Sequence, residues 1–325
     1  MTRPRDRWIE RIRELLERAG FYVAATTGAR PSSFDLVARR DGMLLLIKAL
    51  KNVDALDADE AGRLKELGRL FPAVALVLGQ RSGIAPLDEG VVYTRYGVPI
   101  INEQTLREYL EKALPPFLYA SPGGVFARVD GERLRELRLS RGLSLGALAS
   151  IAGVSRRAIQ LYEEGQGAEA SVVERIEAQF DEPLVRPIFL FEVPARPERS
   201  PPGAGEAPGP EHRPALTGDD LRDGVFRQLD GLGLEVTVTV RAPFDALARA
   251  EEVLLTGVGS LRTAARRAEI LHGIARVAEG HAMFVVREHI HRETIDGLPI
   301  LDVAELKRHR DQDELLEALA EREGM

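Results

Sequence analysis

The chain contains no cysteine, one tryptophan, and aromatic residues at only 6% of its 325 positions. The absence of cysteine excludes a disulfide framework and every thiolate metal site, and it fits a reducing, cytoplasmic setting. No apolar run approaches the roughly 18 to 20 residues needed to span a bilayer. The N-terminal MTRPRDRWIERIRELLERAG is a charged amphipathic helix without a signal-peptide core, so neither membrane insertion nor secretion is expected. A global positive field is also missing. The formal net charge is −7, and attraction to nucleic acid must therefore come from a local basic face. P-loop, dinucleotide fingerprint, nucleophile elbow and kinase signature are all absent, and no cofactor is expected. What is present is 44% hydrophobic content, enough at this length for two or three domains.

One stretch, Gly142 to Gly165, has a spacing that implies a specific molecular role; it reads GLSLGALASIAGVSRRAIQLYEEG. Leu143, Leu145, Leu148 and Ile151 mark a short helix, and Gly153 breaks it before a second helix that carries Ile159 and Leu161. Two helices across a tight glycine turn are the geometry that places a recognition helix in the DNA major groove. Ser155 stands where an N-cap would start that helix, so Arg156, Arg157 and Gln160 project from its first turns. Arginine can pair bidentately with guanine and glutamine with adenine. Ser144 caps the preceding helix and is placed for a phosphate contact. Arg138 and Arg141 add to a local excess of arginine over acid between residues 130 and 160.

The run LRELRLSRGLSLGALASIAGVSRRAIQLYEEG, Leu134 to Gly165, closely resembles the Cro/cI repressor-like family. It has that family's arginine-bearing first helix, GLS entry, LA pair, GVS turn and terminal YExG. Leu145 departs from the pattern, because the family often has a contacting glutamine there. Taken with its flanks, the whole chain resembles archaeal helix-turn-helix transcriptional regulators. That resemblance implies regulation of transcription, with the target and any effector unidentified.

The flanks read as α/β. In the first, a helix over residues 5 to 19 is followed by Phe21-Tyr22-Val23. A hairpin joins Phe34–Ala38 to Met43–Ile47 through Asp41-Gly42, then come a helix from Ala58 to Leu70, strands near Ala73–Leu78, Val91–Tyr93 and Gly97–Ile101, and a helix near Thr105–Lys112. Many of these features recur late in the chain. Phe34-Asp35-x-x-Ala38-Arg39 returns as Phe244-Asp245-x-x-Ala248-Arg249, Leu44-Leu45 as Leu254-Leu255, Ala75–Leu78 as Met283–Val286, and Gly97–Ile101 as Gly297–Leu301. Matches in the same order argue for a duplicated unit. The expected domains are 1–114 (α/β), 115–129 (a hairpin connector), 130–193 (the DNA-binding bundle, with Ser171 capping its last helix and a β-like Val185–Val193), 194–216 (a Pro- and Gly-rich flexible linker) and 217–325 (the second α/β copy).

Asp35 on one strand, with Lys48 across the hairpin, resembles the PD-(D/E)xK nucleases, in which an Asp and a second acid hold a divalent cation beside a Lys. Hard cations need such oxygen ligands to activate water near a phosphodiester. Here Leu46 occupies the second acid position, and Thr256 and Val258 are expected at the places of Leu46 and Lys48 in the repeat. Asp35 and Lys48 are therefore vestigial candidates: no metal and no nuclease activity is expected. Asp35 is left to tie down the hairpin and Lys48 to serve as a surface or phosphate-binding cation. His289-x-His291 has a spacing zinc sites sometimes use, but with no further ligands it reads as hydrogen-bonded or solvated. Phe117, Tyr119 and Phe126 read as a hairpin face packed on the bundle. The expected fold is α/β plus all-α, a lambda-repressor-like bundle between two related restriction-endonuclease-like domains. Its expected partners are double-stranded DNA and a second copy of the chain, with an unknown effector. The alternative reading is a DNA-processing protein with a metal-dependent nuclease domain.

Overall fold

A computed structural model describes residues 3–26, 32–192, 217–249 and 252–323. The expected linker 194–216 and the turn around Gly28 and Pro31 lie outside the described residues. Contacts divide the chain into two units, one of residues 1–49, 62–75 and 193–325 and the other of 50–61 and 76–192. The first α/β region contributes to both units, and strands Met43–Asn52 and Val74–Ser82 each run through a unit boundary.

In the first unit, helix Pro4–Arg18 starts on a proline, whose fixed φ suits a first helical turn. It buries Trp8, Ile9, Ile12, Leu15 and Leu16 along the face that the 3.6-residue period marks. Strands Tyr22–Ala25, Leu36–Arg40 and Met43–Asn52 follow as an antiparallel set. The tight turn at Asp41-Gly42 has both residues left-handed, at φ 50° and 78°, the requirement of a two-residue hairpin loop that matches strand twist. Helix Asp220–Gly231 opens the other α/β region, and its six-stranded sheet runs Glu235–Val238, Ala246–Arg249, Val253–Gly259, His281–Val286, Leu298–Asp302 and Thr294–Ile295. Helix Leu261–Ala278 crosses over between the parallel strands Val253–Gly259 and His281–Val286. Phe226, Leu229, Leu254, Met283, Val285, Leu315 and Leu319 fill the core beneath the sheet.

The two α/β regions share fine backbone detail. Thr26 N donates to the Asp35 carbonyl at 2.9 Å and Thr239 N to that of Asp245 at 3.0 Å, while the Asp35 and Asp245 amides donate to Ile47 and Thr256 at 2.8 Å in both cases. Tyr96-Gly97 and Asp296-Gly297 form matching left-handed turns. The pairing corrects the expected correspondence by one residue. Leu36 faces Ile47 and Ala246 faces Thr256, so Thr256 matches Ile47, Leu255 matches Leu46, and Gly257 matches Lys48. The second hairpin loop is one residue shorter, and counting identities straight through it slips the register. Likewise Val77 faces Ile100 as Phe284 faces Ile300, which sets Ala75–Leu78 against Ala282–Val285.

In the second unit, Val74–Ser82 pairs in parallel with Val98–Ile101, which pairs antiparallel with Val91–Arg95. Val91–Arg95 then runs parallel to Leu118–Ser121, the first arm of a hairpin with Gly124–Val129. The hairpin is more than a connector. Gly124–Val129 also pairs with Ala168–Glu169 and Val185–Arg186, and its Ala127 and Val129 belong to the core formed with Leu134, Leu148, Ile159, Val173 and Phe180. Tyr119 and Phe126 stack at 6.0 Å, and a Cβ at Gly167 would lie 2.0 Å from the Tyr119 hydroxyl. Helix Ala170–Phe180 is capped at Glu169 without a side-chain bond, and Ser171 instead donates to the Glu169 carboxylate. Of the β-like stretch expected at Val185–Val193, only Val185–Arg186 is strand, and Val193 lies outside the described residues.

Candidate nucleic-acid interface

Helices Gly131–Ser140, Leu145–Ala152 and Arg156–Glu163 build the interface. Ser144 caps the second, its hydroxyl accepting from Ala147 N at 3.1 Å, and Ser155 caps the third by accepting from Ala158 N at 3.1 Å. Each cap satisfies one of the donors a helix start leaves open. Between them Gly153 ends the second helix in the left-handed region at φ 70°, which sets the sharp angle of the turn. On the third helix Ile159 is fully buried while Arg156, Arg157 and Gln160 are exposed. At about 100° per residue these three share an arc of roughly 100° that runs from about 60° to about 160° from Ile159. Gln160 donates to the Glu164 carboxylate at 3.0 Å. A Cβ on Gly146 would sit 2.7 Å from Arg156 Nε, so the guanidinium lies over the first turn of the preceding helix, in the space that glycine leaves. Arg141, Arg156 and Arg157 have no ion pair among the described residues.

Arg138 departs from the expectation for a DNA contact. It is 8% exposed, and it holds both Glu163 carboxylate oxygens and the Leu143 carbonyl. The Glu163 bond raises the pKa of the guanidinium further above its ordinary value. A buried cation with its donors engaged is structural, and a phosphate could reach it only by breaking that pair. The same corner is closed by Gly131, whose Cβ would lie 2.5 Å from the Tyr162 and Glu163 carbonyls. Nearby, Arg186 bonds Asp130 at 2.9 Å and holds that carboxyl below the usual range.

The nuclease-like positions Asp35 and Lys48 each engage partners of their own. The Asp35 carboxylate accepts from Arg5 at 2.7 Å and from Ala49 N at 2.9 Å. Lys48 is 7% exposed and donates to the Ser32 carbonyl at 2.6 Å, so it is not the surface cation expected. Leu46 is fully buried in apolar surroundings. In the other α/β region Asp245 accepts from Val258 N at 2.8 Å and from Arg222 and Arg267 at 3.0 and 3.1 Å. Each Asp thus ties the end of its hairpin and is neutralised by arginine. Such a site does not fit a divalent cation, which needs several uncommitted oxygens; among the described residues no three of His, Asp and Glu are grouped to hold one. His289 bonds the Asp302 carboxylate at 2.7 Å and stands edge-on to His291. His281 bridges Glu323 and Glu252, and the Glu323 bond raises its pKa.

Sequence comparison locates known families on this geometry. A family model described as a PD-(D/E)XK superfamily domain matches residues 5–116, and one described as helix-turn-helix matches 134–186. The chain is 38% identical to a "putative HTH-type transcriptional regulatory protein" of Pyrococcus furiosus, with 95% of this chain and 96% of the relative covered. It is 37% identical to one of Halorubrum lacusprofundi, over 97% and 96%, and 34% identical to one of Methanosarcina acetivorans, over 97% and 96%. No solved structure matches the chain.

The Arg138–Glu163 pair has a measurable consequence. Replacing Glu163 with alanine leaves a buried, unpaired guanidinium and should lower stability by about 3 kcal/mol. Arg157→Ala, at an exposed position, should stay within about 0.5 kcal/mol of the parent. Urea melts of the two variants check this, and equal midpoints would remove the pair as a structural clamp.

Proposed function

From the premise that this chain belongs to the family of HTH-type transcriptional regulatory proteins, we propose that it is a sequence-specific DNA-binding regulator. Its recognition helix is Arg156–Glu163, starting at the Ser155 cap. The observation that carries this reading is the division of that helix: Ile159 is buried in the bundle, while Arg156, Arg157 and Gln160 face outward at its N-terminal end. In the major groove those side chains meet base edges, and Ser144 and Arg141 flank them as phosphate contacts that fix the register. Gln160 exchanges its bond to Glu164 for an adenine edge. One such helix covers few base pairs, so two chains bind half-sites about 34 Å apart as a homodimer.

The α/β regions supply dimerisation or sensing rather than chemistry. Their shared element order, strand pairings and Asp-centred bonds support a reading as diverged copies of one unit. A DNA reader of this kind acts where its genome is, in the cytoplasm; among the described residues no helix is long and apolar enough to cross a membrane. The arginine-paired Asp35 and the apolar Leu46 support a body without nuclease activity.

Binding should be measured by gel shift on the DNA upstream of the chain's own gene and on sites selected from random sequence. The double variant Arg156→Ala, Arg157→Ala should lose roughly 1 to 3 kcal/mol of base discrimination per arginine, and affinity should fall steeply with salt. Unchanged affinity and sequence preference in the double variant would remove the recognition helix from this assignment. Plasmid incubated with the protein and Mg²⁺ or Mn²⁺ should stay intact, and cutting that vanishes in Asp35→Ala would establish a nuclease instead.

A further inference from the structure

We infer that the two α/β regions form a closed, pseudo-two-fold pair within one chain, each being the other's docking partner. The evidence is reciprocity. Arg39 and Arg249 occupy the same place in the repeated Phe-Asp-x-x-Ala-Arg segment, and each reaches across to the end of the other region's crossover helix. Arg39 donates to the Val277 carbonyl at 3.5 Å and Arg249 to the Leu70 carbonyl at 2.9 Å. Leu70 and Val277 are themselves equivalent, since each lies four residues before the strand that follows its helix, Val74–Ser82 and His281–Val286. Contact of i with j matched by contact of j with i is the signature of an isologous, two-fold interface and not of a head-to-tail one.

Further contacts repeat the relation. Tyr22–Ala24 lie beside Gly273, Arg276 and Val277 on one side, and Val238–Val240 beside Arg63, Leu67 and Leu70 on the other. On the first side the edge strand Tyr22–Ala25 meets the last turns of the other region's helix, and on the second the end of strand Glu235–Val238 with the two residues after it meets the second half of helix Ala58–Leu70. Near the centre the Ser33 amide donates to the Arg241 carbonyl at 2.6 Å, and Phe71 packs edge-on against Phe244 with ring centroids 5.9 Å apart. Arg39 also pairs with Glu279 at 2.5 Å. A surface filled in this way by the same polypeptide is not free to bind a second copy. A homodimer on two half-sites therefore assembles through other surfaces, and each chain delivers one DNA reader on one complete α/β pair.

The chain has no cysteine, so an introduced pair reports the contact without background. A Cβ on Gly273 would lie 3.5 Å from that of Ala24, within the range a disulfide accepts. Under mild oxidation, full-length Ala24→Cys, Gly273→Cys should lose both free thiols and run on a non-reducing gel at the mass of one chain. The two-fold relation requires the same of the reciprocal pair Glu66→Cys, Thr237→Cys, and this second pair keeps the test decisive if the first misfolds. Links between chains would overturn closure in cis. Free thiols persisting in folded protein would overturn the pairing itself.

Discussion

The ion pair between Arg138 and Glu163 ties the third helix of the bundle to the first. Both side chains are only about 10% exposed, and the pair locks the first helix of the bundle to the last turn of the third. Gly131 lets the helix backbones close to contact at the same corner. Clamped at its C-terminal end and pinned at its middle by Ile159, the third helix keeps its N-terminal turn exposed. That end carries Ser155, Arg156 and Arg157. An acidic protein can therefore present a small basic edge, because the acid within the helix, Glu163, is engaged by Arg138.

A second constraint operates in the α/β regions. Each has an aspartate at the start of the hairpin, and in each the carboxylate ties the hairpin together. In both, a carboxylate oxygen accepts the amide at the far end of the hairpin, and arginine supplied by helical residues neutralises it. The arginines come from different positions in the two regions, Arg5 in one and Arg222 with Arg267 in the other. The same electrostatic need, a buried carboxylate, is met by arginines at different positions.

Much of this is legible in the residues. The period of Trp8 to Leu16, the Asp41-Gly42 turn, the serine caps at 144 and 155 and the glycine at 153 each name a local geometry that the fold adopts. Arg138 escapes such a reading because arginine invites a surface assignment, although its spacing from Leu134 and Leu137 places it on the buried face of its helix. The one-residue register slip arises in a loop, where no periodicity constrains the count. The hairpin at Leu118–Val129 gives no sign that Ala168–Glu169 and Val185–Arg186 add to it, since two-residue strands carry too little pattern to be seen. Contacts such as Arg39 with Val277 join residues far apart in the chain, and nothing local encodes them.

Reading a DNA sequence requires the third helix to enter the major groove. The most direct measurement is methylation protection of guanine N7 on a selected binding site, because that atom lies in the major groove where arginine pairs with it. Protection of guanines within each half-site, lost in Arg156→Ala, Arg157→Ala while that variant stays folded, is the expected result. Protection confined to the minor groove, or a guanine pattern identical in the variant, would contradict it.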